Sequence, residues 1–120
     1  MGRRLHILIV EDEPLVLEVI QETLEAEYRV SSVGTIGEAR ACLCTSHIDL
    51  ALVDWGLPDG HGDIVAEFAE QRGVPTVIMS GHPVNFDDST IHSRPHLMKP
   101  FGIADLEVKI ESVLKSGSHV

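Results

Sequence analysis

The chain has 120 residues, 43 % of them hydrophobic, and a formal net charge of -10 at pH 7. That length holds one domain with helices on both faces of a sheet, residues 1–120 as a single unit, and not two cores. The acidic balance argues against direct nucleic-acid binding, which needs Lys and Arg against phosphates. No apolar run reaches the length of a membrane span, and MGRR leads into LHILIV without a signal-peptide cleavage context.

Leu5 to Val10 is a short apolar run without strict polar alternation, the pattern of a strand buried on both faces of a parallel sheet. It stops on three acids, Glu11, Asp12 and Glu13, which repel one another unless a cation compensates. Pro14 suits the first turn of a helix running to about Ala26, with Val16, Val19, Ile20 and Leu24 as its apolar stripe. Tyr28 to Val33 reads as a second strand, with Val30 and Val33 facing in. Thr35 with Glu38 three places on forms a capping box for a helix carrying Ile36, Ala39 and Leu43. That helix also holds Cys42 and Cys44, two apart and so pointing in different directions. They suit neither a local disulfide nor a CxxC redox motif, and a reducing cytoplasm is the expected compartment.

Ile48 to Val53 is a third apolar run, again closing on an acid, Asp54. WGLPDGHG follows as a glycine- and proline-rich loop, then a helix over Ile64 to Gln71 with Val65 and Phe68 inward. Pro75 to Met79 is the fourth strand, ending on Ser80 and Gly81. Pro83 to Pro95 supports at most one or two helical turns, so a fourth helix should be short, shifted or disordered. Leu97 and Met98 read as the core of a very short fifth strand before Lys99 and Pro100. A last helix over about Ala104 to Lys115 has Ile103, Leu106, Ile110, Val113 and Leu114 as its stripe.

Strands alternating with helices in this way predict an α/β fold: (βα)₅ with right-handed crossovers, a doubly wound parallel five-stranded sheet in a three-layer sandwich. A dinucleotide site is excluded, because EDEP follows the first strand where a pyrophosphate needs glycines, and no Walker A lysine motif is present. The strand ends of a parallel sheet lie on one edge. There Glu11, Asp12, Asp54, Ser80 and Lys99 converge from four strands. Clustered carboxylates suit a hard divalent cation such as Mg²⁺. Asp54 can then be ligand and nucleophile together, with Lys99 and the Ser80 hydroxyl meeting phosphoryl oxygens.

These motifs resemble those of the response-regulator receiver domain of two-component signalling (CheY-like). They are Glu11–Asp12, LALVDWGLPDGHG around Asp54, VIMSG around Ser80 and LMKPF around Lys99. The resemblance implies the flavodoxin-like strand order 2-1-3-4-5. It implies that Asp54 accepts a phosphoryl group from a histidine of a kinase or a histidine phosphotransfer protein. It implies that Glu11, Asp12, Asp54 and the carbonyl of Gly56 hold Mg²⁺, that Ser80 is the switch hydroxyl, that Lys99 contacts the phosphoryl group and that Lys99–Pro100 is cis. Pro58 and Gly62 match the turn after the acceptor strand, and Gly81 the small position after Ser80. His96 stands where the family carries its switch aromatic; a partly exposed strand histidine is the other reading, and both stay open.

The shortened stretch before Lys99 alters the face through which relatives dimerise, so the expectation is a monomer or weak dimer. It would signal as a stand-alone phosphoacceptor through a downstream protein partner. A phosphorylation-independent interaction module and a small Mg²⁺-dependent phosphohydrolase are the competing classes. Trp55 reads as a half-exposed packing residue, His61 and His82 as solvated loop residues, and Glu13 as solvating the first helix. Neither His82 nor Gly56 offers a carboxylate or amide that would position water against an acyl phosphate.

Overall fold

The opening apolar run becomes β1 (His6–Val10), buried at every position. The computed structural model describes residues 4–81 and 94–117. On either side of β1 lie parallel neighbours, β2 (Arg29–Val33) and β3 (Leu50–Asp54), with Val10 beside both Val33 and Val53. The chain then forms a small antiparallel pair, β4 (Gly56–Leu57) and β5 (Gly60–His61), before β6 (Thr76–Ser80) and β7 (His96–Met98) extend the sheet. The five-stranded order is β2-β1-β3-β6-β7 with every pairing parallel. This is the expected 2-1-3-4-5 order once the small hairpin is set aside.

Strand periodicity divides the core in two. Leu8, Val10, Ala51, Val53 and Ile78 point to the face covered by α2 (Ile36–Thr45) and α3 (Asp63–Gln71). Ile7, Ile9, Leu50, Leu52, Val77 and Met79 point to the face covered by α1 (Pro14–Glu25) and the C-terminal helix (Ile103–Gly117). A sheet sealed on both faces explains the absence of polar alternation in β1 and β3. Among the described residues no helix is long and apolar enough to cross a membrane.

Several expectations need correction. Val19 is 55 % exposed: α1 docks through Ile20 and Leu24, with Val16 and Leu17 beside them, and Val19 lies about 100° around the helix from that stripe. Ile103 is exposed at the first position of the C-terminal helix, while Leu106, Ile110 and Val113 carry the packing. Met98 is also exposed, on an edge strand where only Leu97 faces in. Trp55 is buried, not half-exposed, and its ring stacks on His61 at 4.8 Å between centroids. The glycine-rich loop is an ordered hairpin. The capping box of α2 closes differently from the usual form. Thr35 accepts from the Glu38 N–H, but the Glu38 carboxylate takes the Gly34 N–H, one residue before the cap.

The expected short fourth helix falls almost wholly outside the described residues. Of Pro83 to Pro95 only Arg94 and Pro95 are described. Arg94 ties the start of β7 to the end of α3 through two hydrogen bonds to Glu70, at 2.8 and 3.0 Å.

Candidate functional site

Strand register alone assembles the site. Val10 pairs with Val53, so Glu11 and Asp54 leave adjacent strands side by side. Asp54 pairs with Met79, which puts Ser80 one step beyond it, and Ser80 pairs with Met98, which delivers Lys99. Two backbone bonds lock these exits: Trp55 N–H to Met79 O at 2.8 Å and Lys99 N–H to Ser80 O at 2.8 Å. The Lys99–Pro100 peptide bond is cis.

The charged groups meet closely. Lys99 Nζ lies 2.7 Å from Glu11 Oε1 and 3.1 Å from Asp54 Oδ1. Glu11 and Asp54 are buried and Asp12 is exposed, and one carboxylate oxygen from each of the three can be found within 4.8 Å of the others. Burial, then repulsion from Glu11, push the Asp54 carboxyl up from 3.8 to about 6, against the pull of Lys99. Burial works against the charge of Lys99, but its hydrogen bond to Glu11 and the charges of Asp54 and Glu11 outweigh this and hold its pKa above the ordinary value. The donor set is all carboxylate oxygen, hard and anionic, and it already draws a cationic ammonium into its middle. That chemistry fits Mg²⁺ rather than a thiolate- or imidazole-seeking metal.

Ser80 is buried at the end of β6. His96 is half-buried at the start of β7, beside Ile78, and its Nδ1 donates to Arg94 O at 3.4 Å. Gly56 lies exposed in β4, paired with His61. Glu13 is exposed at the cap of α1, where its N–H donates to Glu11 Oε2 at 3.2 Å. At Gly62 an added Cβ would lie 2.3 Å from the Asp54 carbonyl oxygen, so only glycine lets the chain return this close beneath the acid.

Two residues escaped the sequence reading. His6 is buried at the N-terminal end of β1, its Nδ1 donating to His47 O and its Nε2 bonded to Ser31 Oγ at 2.7 Å. Burial, then the Arg29 charge, hold this imidazole below its ordinary pKa. Its place within an unbroken apolar run was the available signal. Asp59 accepts from the Ile36 and Gly37 N–H groups at 2.9 and 3.2 Å, bonds that pull its pKa down. Its setting in PDG signals only a turn, and a cap reaching across 23 positions has no local signature.

A parallel sheet in the order β2-β1-β3-β6-β7, with three carboxylates and a lysine gathered where its strands end, has the architecture of a receiver domain. The family model for the response regulator receiver domain matches residues 7–111, and the chain belongs to that family, the phosphoacceptor modules of two-component signalling. It is 29 % identical to the KDP operon transcriptional regulatory protein KdpE of Escherichia coli (strain K12), over 94 % of this chain and 52 % of that protein. The chain thus spans about half the length of the curated relatives it matches. A CheY-like response regulator receiver domain from Methanospirillum hungatei JF-1 superposes with a TM-score of 0.87 at 28 % identity, covering 95 % of this chain and 96 % of that one. A response regulator receiver protein from Sinorhizobium medicae WSM419 gives 0.86 at 26 % identity, with 96 % and 98 % covered.

Proposed function

We propose that residues 1–120 act as one receiver unit in which Asp54 takes a phosphoryl group from a phosphohistidine of a kinase or phosphotransfer protein. One observation carries the reading: Lys99 Nζ bridges Glu11 and Asp54 in a pocket that Asp12 completes with a third acid. An Asp54 oxygen attacks phosphorus in line. The new P–O bond forms as the P–N bond breaks, and the departing imidazole nitrogen keeps the electron pair and takes up a proton. The raised pKa makes Asp54 a better nucleophile than a solvated aspartate, while Lys99 keeps it ionised at neutral pH. Glu11, Asp12, Asp54 and the carbonyl of Gly56 would hold Mg²⁺, which when bound neutralises phosphoryl charge. Lys99 and the Ser80 hydroxyl donate to the transferred oxygens, and Lys99 must then exchange part of its bond to Asp54 for one to phosphate.

Signalling follows as altered contacts with a downstream protein. Ser80 and His96, on the adjacent strands β6 and β7, are the pair that would carry the change outward. The cytoplasm, where kinases of this class present their phosphohistidine, is the matching compartment.

The test is incubation of the full chain with a small phosphoramidate donor, with and without Mg²⁺, read by intact mass. One phosphoryl group should be added, only with Mg²⁺, labile to alkali, and absent in Asp54→Asn. Catalytic turnover of a phosphomonoester without a kinase would instead place the chain among hydrolases. Failure of labelling from both small donors and a cognate kinase would reduce it to an interaction module.

A further inference from the structure

Between Asp54 and α3 the chain could have crossed by an open loop. Instead it folds a hairpin with two ladder pairs, Gly56 with His61 and Leu57 with Gly60. So short a ribbon is marginal in water without outside support. Support exists at both ends. At the base, Gly62 N–H donates to Trp55 O at 2.8 Å, and His61 stacks on the buried Trp55 ring. At the tip, Gly60 adopts φ +145° and approaches α2 so closely that a Cβ would sit 2.9 Å from Ile36 Cδ1. Beside it, the Asp59 carboxylate takes the first two N–H groups of α2, those of Ile36 and Gly37.

Local groups meet only the later N–H groups at the start of α2, which leaves those of Ile36 and Gly37 to this acid. Thr35 already accepts the Glu38 N–H, and Ala39 N–H already bonds Thr35 O. Asp59 therefore completes the cap from a distance and, in doing so, fastens the hairpin tip to a packed helix whose positive end favours its charge. Gly56 sits at the other end of the same two-pair ladder.

We infer that Asp59 is a positioning residue for cation binding: it anchors the Gly56–His61 hairpin to α2 and so holds the Gly56 carbonyl in place as a ligand. The inference rests on the Mg²⁺ reading proposed above. A hairpin freed at its tip presents its carbonyl only part of the time, and apparent affinity falls by that fraction. Supports of metal ligands commonly change affinity 10- to 100-fold. One backbone ligand among several, still held at its base, should show about three- to tenfold.

The experiment is a Mg²⁺ titration of the full chain, read by emission of Trp55, its single tryptophan, and by the Gly56 amide resonance. Asp59→Ala should raise the Mg²⁺ dissociation constant about three- to tenfold. Asp59→Asn, which keeps one acceptor oxygen, should fall between it and wild type. The ratio should persist in about 1 M salt, where a remote charge is screened within about 3 Å. Thr35→Ala weakens the same helix end without touching the hairpin and should leave the affinity unchanged. Wild-type affinity in Asp59→Ala, a ratio that vanishes in salt, or an equal loss in Thr35→Ala each overturns the inference while the metal reading stands. Absence of saturable binding in wild type, or unchanged binding in Asp12→Asn, overturns the metal reading itself and the inference with it.

Discussion

Replacing Asp54 by Asn should make the metal-free protein more stable, not less. In the native state the carboxyl is buried, faces Glu11, and titrates at about 6 instead of 3.8. Its ionised form is therefore disfavoured by folding. At 1.36 kcal/mol per pKa unit, that rise corresponds to about 3 kcal/mol above pH 6. Because the folded pKa is raised, stability is fully present below the unfolded value and is lost as pH climbs from about 4 through about 6. Asn keeps the shape and most hydrogen bonds but never ionises. The variant's advantage should be near zero at pH 4, grow across that window and level off above pH 6.5 at up to about 3 kcal/mol, or roughly 10 °C in Tm for a chain of this size. Urea unfolding with a chelator present, followed by circular dichroism at several pH values, measures it. Mg²⁺ should reverse the order, because wild type binds the ion with one more carboxylate and gains by mass action. An Asn variant less stable than wild type at pH 7.5 without metal, or an advantage that ignores pH, would refute the reasoning.

Three further expectations follow from the same geometry. Lys99→Ala leaves Glu11 and Asp54 facing each other unpaired, and should cost about 2–4 kcal/mol without metal; added Mg²⁺ should recover most of that loss in thermal melts. Gly62→Ala forces a Cβ to 2.3 Å from the Asp54 carbonyl oxygen and 2.9 Å from Val53 Cγ1. Because backbone must move, the cost should be about 3 kcal/mol or more, visible as a lowered urea midpoint or as failure to fold, whereas the same change at the uncrowded Gly56 should cost far less. His6 should populate the neutral tautomer with the proton on Nδ1, since that nitrogen faces a carbonyl that can only accept. Long-range nitrogen–proton correlation spectra should show this, with a titration midpoint below 6.5. The lowered pKa means that His6 contributes stability as pH rises through that midpoint toward 6.5, and a His6→Gln variant should lose this dependence.

The acids after β1, Asp54 after β3, Ser80 after β6 and Lys99 after β7 were legible because each apolar run ends abruptly on a polar residue, and parallel strands share one exit edge. The helices were legible from their stripes, but only to within a face. Val19 and Ile103 belong to plausible stripes on paper, yet α1 packs through other positions and Ile103 is the first residue of its helix, and both are exposed. Trp55 looked like a loop residue because its burial depends on a hairpin that WGLPDGHG does not announce.

Local sequence thus determined the alternation of elements, the sealed sheet and the chemical types at its edge, since hydrophobic periodicity and strand termini are written in neighbouring residues. Tertiary structure decided what those residues do to one another. Lys99 is 88 positions from Glu11, and their 2.7 Å contact exists only because two parallel strands end in register, with the strands of Asp54 and Ser80 between them. The raised pKa of Asp54 comes from burial and a charge that no local pattern supplies. The tether of Asp59 to α2 likewise depends on a hairpin closing over Gly62, a distance set by packing and not by spacing along the chain.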